Sequence, residues 1–366
     1  MSTATAASNP IITAWNAVSP FGIGREAFAE GLRAGRPTAA PVDKEEWKVP
    51  DETACLVPGF VLSEVLGKKG TRSMDRVSGL AVATVGQLLS GFEAGKLPIA
   101  GEDIAVVLGT TTGSAESMMS ITRDSFVNEK PFYIDPSRLP NAVMNCAAAQ
   151  CAIWHQLKGP NVTVAGGRTS GLFSLNYARR LMDTGRAKVV LCGSAEEYSY
   201  ARSWLDWHTR GEDEGDTTLG EGCAVLQLEP GDAESADRPA LAEVLVVKVG
   251  VYPTDDPRPS LTACVREALD RAGVAAQDVW AVAPCEPFGR AGLYEQEVLD
   301  EVFAGASPTV IRHRALIGDT AAAAASFQIA AVLSHAEQDP LASGQVVLIT
   351  SIDRDGVLGC ALLRLR

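Results

Sequence analysis

The chain has 366 residues, 46% of them hydrophobic, and a formal net charge of −13 at pH 7. That length can bury a large core, either as one α/β domain or as two fused halves. The acidic balance argues against a nucleic-acid partner, because a phosphate backbone selects basic surfaces.

The start of the chain, MSTATAASNP (1–10), has neither the basic region nor the apolar core of a signal peptide. Since no apolar run is long enough to span a bilayer either, we expect a cytoplasmic protein with no membrane partner. The eight cysteines are scattered and form no CxxC pair. This spacing predicts neither a disulfide framework nor a zinc site, and most of the cysteines lie in apolar runs typical of a core.

Short apolar runs alternate with helical patterns along the chain. The apolar runs predict buried strands at 103–110, 188–195, 222–229, 278–285, 345–352 and 359–365. The helical patterns are at 74–92, 114–127, 140–157, 170–184, 258–272, 291–304 and 318–337. This alternation predicts parallel sheets covered by helices, with the alanine-rich last helix between layers. Polar stretches at 210–218 and 229–240 predict surface loops.

Residues 161–181 have the pattern of a turn that presents a catalytic nucleophile. The β-branched run 161–164 predicts a strand, the two glycines after it a tight turn, and the apolar spacing of 170–184 a helix. Several enzyme folds expose a serine or cysteine at such a helix N-terminus. The residue at the apex of this turn is instead Arg168.

Four stretches resemble the β-ketoacyl synthases, enzymes of the thiolase fold. They are ITAWNAVSPFGIGREAFAEGLRAGR (12–36), MDRVSGLAVAT (74–84), PSRLPNAVMNCAAAQCAIWHQLKGPNVTV (136–164) and TTLGEGCAVLQLE (217–229). They keep the family's order, and the resemblance runs from about residue 11 to the C-terminus. It implies an α/β thiolase-like fold with two similar βαβαβ-type halves in a five-layer α-β-α-β-α arrangement. The N-terminal half, with the dimer and tunnel elements, would span 11–229 and the C-terminal half 241–366.

The resemblance implies a site built from a cysteine that carries the acyl chain, two histidines that assist decarboxylation, and a supporting lysine. In this sequence the cysteine position falls on Arg168 and the second histidine on Asp319. The lysine falls near Arg314, and the first histidine on Cys285 or Glu286. The implied site is therefore degenerate, with none of the family's catalytic residues, no cofactor and no metal.

A buried arginine cannot shed its charge and must be paired with an anion. The resemblance places the cysteine and histidine positions in contact, so we expect a charge-assisted hydrogen bond between Arg168 and Asp319, with Glu286 as a further partner. The alternative is a displaced loop that directs Arg168 to solvent. We expect the four histidines to be structural or solvated: His155, His208, His313 and His335.

Type II polyketide synthases pair a ketosynthase with a degenerate copy that lacks the cysteine, the chain length factor. The resemblance implies such a subunit here, one that completes its partner's acyl tunnel and limits chain length. Usual chain length factors carry glutamine where this chain has Arg168. The sequence is as similar to those of highly reducing, polyene-forming systems as to those of aromatic ones. The implied partners are a ketosynthase, in a heterodimer or a dimer of heterodimers, and through it an acyl carrier protein.

The helix predicted at 114–127 is the element that the resemblance places against the partner and the tunnel. Its expected wall and end-stop residues are Met118, Met119, Thr122 and Phe126. Two adjacent methionines suit contact with a flexible acyl chain, because methionine is soft and adaptable. The same helical spacing equally fits an ordinary core.

The sequence also fits two other functions. One is an active acyltransferase or ketosynthase whose nucleophile has moved to Cys285, the thiol nearest the expected pocket, or to Ser170. The other is a non-enzymatic homodimeric scaffold. Since the negative charge would repel an acidic carrier protein, we expect a ketosynthase partner to supply most of the basic docking surface.

Overall fold

The structure of the chain is a computed structural model that describes residues 8–45, 47–90, 101–215, 217–233 and 239–366. Parts of four predicted segments lie outside these residues, namely the N-terminal segment, the end of the first predicted helix and pieces of both polar loops. No described helix is both long enough and apolar enough to cross a membrane.

The described strands are β1 (Ile11–Ser19), β2 (Gly22–Ile23), β3 (Ala40–Pro41), β4 (Thr53–Cys55), β5 (Ile104–Thr110), β6 (Asn161–Ala165), β7 (Val189–Glu196), β8 (Leu219–Gly220), β9 (Gly222–Glu229), β10 (Ala242–Val251), β11 (Val279–Ala283), β12 (Thr309–Val310), β13 (Val346–Asp353) and β14 (Val357–Leu365). The described helices are α1 (Arg25–Ala34), α2 (Leu62–Val65), α3 (Arg76–Leu89), α4 (Ala115–Val127), α5 (Cys146–His155), α6 (Ser170–Asp183), α7 (Tyr200–Thr209), α8 (Arg258–Ala272), α9 (Arg290–Val302), α10 (Arg314–Ile317) and α11 (Ala324–Ala336). Every strand and helix predicted from the apolar patterns corresponds to one of these elements.

Two predicted helices are shorter than expected, because each begins with a stretch that is not α-helical. Residues 136–142 form a 3-10 turn with Pro140 inside it, and α5 begins only after that turn. Gly318 adopts a left-handed φ of 75°, and the 3-10 turn Ala321–Ala323 precedes α11. The apolar patterns do not predict α7 or β10, since charged residues interrupt both.

One mixed sheet has the strand order β12-β11-β13-β14-β10-β1-β9-β7-β5-β6, and β2 pairs with β1 beside this path. β5 pairs in parallel with β6 and β7, and β11 pairs in parallel with β12 and β13. The remaining pairs in this path are antiparallel, so the prediction of parallel sheets holds only for the outer strands. β9 and β14 are apolar on both faces because helices cover both faces of the sheet. This burial does not depend on whether a strand is parallel or antiparallel.

The strand order repeats outward from the middle of the sheet, as β1-β9-β7-β5-β6 on one side and β10-β14-β13-β11-β12 on the other. β1 and β10 join the two halves through the pairs Ile11–Glu243 and Ile12–Ala242. α6 and α11 share a core between the halves, α3 and α5 cover the first half, and α8 and α9 cover the second. These layers form the five-layer thiolase-like arrangement. The domain limits 11–229 and 241–366 stay a prediction.

The contact between α6 and α11 depends on small side chains. α11 is buried continuously from Ala324 to Ser334, which confirms its predicted place between layers. A Cβ added at Gly171 would lie 2.7 Å from both the backbone nitrogen and the Oγ of Ser326. Since interiors are close-packed, a larger residue at this position would force the two helices apart.

We expect Gly171→Ala to lower the free energy of unfolding by about 1–3 kcal/mol, because overpacking must displace α6 from α11. Gly250→Ala is the matched control, since nothing lies within 4 Å of its added Cβ. That control should change stability by less than about 0.5 kcal/mol. Chemical denaturation measures both variants, and equal effects would contradict the close packing at Gly171.

Candidate functional site

The turn between β6 and α6 forms as predicted, and Arg168 lies at its apex. Gly167 has a left-handed φ of 51°, and a Cβ there would overlap the carboxylate of Asp353. Only glycine therefore fits this position. Arg168 is 7% exposed, so its charge is buried and needs a partner.

Two carboxylates surround the Arg168 guanidinium. Asp319 Oδ2 accepts hydrogen bonds from Nη2 at 2.5 Å and from Nε at 3.2 Å. Asp353 Oδ2 accepts hydrogen bonds from Nη1 at 3.3 Å and from the Arg168 backbone N–H at 2.8 Å. The predicted pair between Arg168 and Asp319 is present, and the alternative of a solvent-directed Arg168 is wrong. We call these three residues the Arg168 network.

Asp353 is the partner that sequence reasoning missed. It is the last residue of β13, and its Oδ1 accepts a hydrogen bond from the Asp355 backbone N–H at 3.0 Å. A carboxylate that ends a buried apolar strand was the available signal. Arg202 fixes the backbone of Asp319, because its Nη2 donates to the Asp319 backbone oxygen at 2.8 Å.

Asp319 and Arg168 stabilise each other's charged forms. Burial would raise the pKa of Asp319, but the charge and hydrogen bonds of Arg168 hold that pKa well below its ordinary value. Burial also opposes the charge of Arg168, yet Asp319 and then Asp353 hold the arginine pKa well above its ordinary value. Both partners therefore stay charged over the whole physiological pH range, and the position of the expected nucleophile is filled by a closed ion network.

Glu286 does not join this network, so its prediction as a further partner is wrong. Its carboxylate pairs with Arg312, and its backbone N–H donates to Glu295 Oε2 at 2.7 Å. Pairing with the half-exposed Arg312 costs less desolvation than burying a third carboxylate beside one arginine. Arg314, near the expected lysine position, stacks on Phe288 with 3.3 Å between the guanidinium carbon and the ring centroid.

Both alternative nucleophiles, Cys285 and Ser170, are buried. Cys285 is 2% exposed, and burial, reinforced by Glu295, raises its pKa to about 12. Such a thiol holds almost no reactive thiolate at neutral pH. The Ser170 hydroxyl is fully buried, lies 2.7 Å from the Gly167 carbonyl oxygen and accepts a hydrogen bond from the Gly166 N–H at 3.0 Å. Among the described residues, neither group has a hydrogen bond to a histidine.

The four histidines make contacts that fit structural roles. His208 and His335 pack against tryptophan rings, and His155 Nε2 lies 3.0 Å from a backbone carbonyl oxygen. His313 is buried, and burial, followed by the charge of Arg314, lowers its pKa to about 4. Within the described ranges, no group of His, Cys, Asp or Glu is placed to hold a metal ion.

The predicted tunnel residues lie on α4, and three of them face away from the core. Met119 is 39% exposed, Phe126 is 83% exposed, and Thr122 is exposed as well. Met118 is half-buried. The alternative of ordinary core residues is therefore wrong for Met119, Thr122 and Phe126, whereas their role in a tunnel stays a prediction.

A cavity of about 610 Å³, which no sequence pattern predicts, lies against the buried face of α4. Ser117 of this helix and its N-cap residue Ser114 line the cavity, and Glu197 and Tyr198 line it from the segment before α7. No predicted tunnel residue lines it. Burial, with the like charge of Asp75 nearby, raises the pKa of Glu197 to about 8. Burial thus shifts Glu197 towards its protonated form, while Ser114 Oγ and the backbone N–H groups of Val77 and Glu116 donate hydrogen bonds to it.

Comparison with known proteins agrees with this geometry. Residues 9–233 match the family described as "Beta-ketoacyl synthase, N-terminal domain". The curated "3-oxoacyl-[acyl-carrier-protein] synthase 2" of Vibrio cholerae is 27% identical over 192 residues, which cover 52% of this chain and 46% of that protein. The chain thus spans about half the length of this relative.

Two solved structures share the fold over nearly the whole chain. "The ishigamide ketosynthase/chain length factor" is 47% identical, with a TM-score of 0.91, and the match covers 98% of this chain and 99% of that one. A chain in the structure of a type II PKS acyl-carrier protein in complex with its ketosynthase is 17% identical, with a TM-score of 0.81. The match covers 98% of this chain and 100% of that one, and at this identity it shows the fold alone. Since the family match also covers more than half of the residues, the chain belongs to the β-ketoacyl synthase family.

Proposed function

We propose that this chain is a non-catalytic chain length factor that pairs with a cysteine-bearing ketosynthase of a type II polyketide synthase. The Arg168 network carries the proposal. A guanidinium cannot form a thioester, and it cannot act as a base because it stays protonated. Decarboxylative condensation of carrier-bound malonyl units would then take place in the partner, on the partner's cysteine.

The groups around the network supply no substitute. Condensation requires a nucleophile for the acyl chain and polar groups that stabilise the enolate. Cys285 and Ser170 are buried, and the charge of Asp319 is committed to Arg168. These contacts support a subunit that shapes its partner's site instead of performing the chemistry.

One face of the molecule is suited to a partner subunit. Eight of the seventeen exposed large apolar side chains among the described residues fall between positions 119 and 144. Such a concentration is typical of an interaction surface. β6 ends the sheet, with β5 on one side and no described strand on the other, so its free backbone groups can pair with a strand of another subunit. A ketosynthase, in a heterodimer or a dimer of heterodimers, would cover this face.

The exposed stripe of α4 belongs to the same face. Met119, Thr122 and Phe126 are the side chains that a partner would bury and that would line a tunnel between the subunits. Methionine fits a flexible acyl chain because its own side chain adapts to the contact. The 47% identity to the ishigamide ketosynthase/chain length factor supports a polyketide system, in which an acyl carrier protein would deliver the growing chain through the partner.

Co-expression with the ketosynthase of the ishigamide system tests the pairing. We expect the two chains to co-purify one-to-one and Phe126→Asp to abolish this, because it places a charge in the buried interface. Leu341→Asp is the matched control, since Leu341 is 75% exposed and lies outside the 119–144 segment, and it should leave co-purification unchanged. A stable homodimer that does not bind the ketosynthase would instead favour the scaffold function.

Intact mass measurement tests the catalytic alternative on the same sample. After incubation with malonyl and acyl thioesters, we expect an acyl adduct on the ketosynthase and none on this chain. An adduct on this chain would contradict the non-catalytic proposal, and peptide mapping would then show whether Cys285 or Ser170 carries it.

A further inference from the structure

A cavity of about 590 Å³ lies beside the Arg168 network but does not open into it. Arg354, Glu214 and Tyr252 form part of its wall, whereas none of the three network residues lines it. Tyr252 touches the network from this side, because its hydroxyl donates to the backbone oxygen of Asp353 at 2.5 Å. The cavity thus ends at Tyr252, whose side chain separates it from the Arg168 network.

Arg354, in the turn between β13 and β14, binds residues between 206 and 214, which we call the outer segment. Its Nη1 donates to Glu214 Oε2 at 2.8 Å, and its Nη2 donates to Thr209 Oγ1 at 2.9 Å. Asp206 Oδ1 lies 3.4 Å from the same Nη2. The residue before it, Asp353, belongs to the Arg168 network. Two consecutive residues therefore contact the buried network and the outer segment.

The outer segment is also fastened at α9. The Arg290 backbone N–H donates to Asp213 Oδ2 at 2.7 Å. A Cβ added at Gly289 would lie 2.6 Å from that carboxylate oxygen, so the two segments are in direct contact. Glu214 Oε2 in addition accepts a hydrogen bond from the Gly211 N–H at 2.9 Å, which fixes the carboxylate that Arg354 binds.

We propose that Arg354 and Glu214 form a latch that closes this subunit's own entrance, so that the phosphopantetheine arm of a carrier protein reaches only the partner's site. The identity of the excluded arm rests on the proposed function, whereas the closure does not. The charges that line the cavity also oppose entry of the arm, because a net negative charge repels its phosphodiester. Four acidic and two basic residues line it: Asp213, Glu214, Asp255, Asp355, Arg290 and Arg354.

The native Cys285 thiol reports on the latch, because it is buried close enough to Arg168 and Asp319 to feel both charges. Iodoacetamide alkylates a thiolate with loss of iodide, and it reaches a buried thiol only through local opening. We expect Arg354→Ala and Glu214→Gln each to raise the rate of Cys285 labelling about tenfold. Arg266→Ala, which removes a 2.7 Å pair with Glu301, is the matched control and should leave the rate unchanged.

A pantetheine bromoacetamide probes the exclusion of the arm in the same variants. We expect it to label Cys285 in Arg354→Ala and not in the unmodified chain. Three results would each overturn the proposal. They are an unchanged rate of Cys285 labelling in both latch variants, an equal rise in the labelling rate of the core residue Cys192, and labelling of the unmodified chain by the pantetheine probe. Labelling is read on peptides of this chain, so the result does not depend on whether a ketosynthase co-purifies.

Discussion

Replacing Arg168 with methionine is expected to lower the free energy of unfolding by about 3–5 kcal/mol. The variant leaves Asp319 and Asp353 without their cation, although they are only 3% and 5% exposed. A buried charge that loses its partner keeps the full cost of desolvation, which is why the effect exceeds that of an ordinary side-chain truncation. Denaturant unfolding at neutral pH measures it.

The dependence on pH separates this mechanism from a loss of packing. Arg168 lowers the pKa of Asp319, so the pair's contribution is complete above the unfolded-state pKa of about 3.9 and is lost only as the pH falls through the lower folded-state pKa. In Arg168→Met, burial without a cation raises the pKa of Asp319, so acidification stabilises the variant. The stability difference should therefore be large at neutral pH and shrink towards about pH 4.

Two controls belong to this experiment. Adding Asp319→Asn and Asp353→Asn to Arg168→Met should recover more than half of the loss, because the unpaired charges are removed. Arg266→Ala breaks an exposed ion pair and should cost less than about 1 kcal/mol. A loss for Arg168→Met that is equally small and does not vary with pH would show that the network contributes no buried charge pair.

Alanine at Met119 or Phe126 is expected to lengthen the products of the reconstituted pair by at least one malonyl-derived unit. Both side chains project from α4 into the face that we assign to the partner, so truncation would enlarge the tunnel between the subunits. Because they are exposed in the single chain, truncation should leave its own stability nearly unchanged. Mass spectrometry of the extracted products measures their length.

Leu341→Ala is the control for this measurement, since it removes an exposed apolar side chain elsewhere. It should leave the product distribution as it is. Unchanged products from alanine variants at all four predicted positions, Met118, Met119, Thr122 and Phe126, would remove α4 from any role in chain length.

Local features of the sequence were sufficient for the platform of the site. The strand at 161–164, the glycine turn and the following helix depend on neighbouring residues, and all three form as predicted. The pairing of Arg168 with Asp319 spans 151 positions, and only the family resemblance brought these two residues together. Asp353 was missed because its contact with Arg168 arises from packing between layers, which no local pattern records.

Tertiary structure alone decided the remaining questions. The helical spacing of α4 is the same for a core helix and for a partner-facing one, and only the packed chain shows Phe126 exposed. Apolarity on both faces predicts a buried strand but not its direction, which is why β9 and β14 are antiparallel where parallel strands were expected. Hydrophobic patterning thus located most of the longer strands and helices by itself, with α7 and β10 as exceptions, because burial acts residue by residue. The closed Arg168 network and the Arg354 latch required the fold, because each joins charges from distant segments at one buried point.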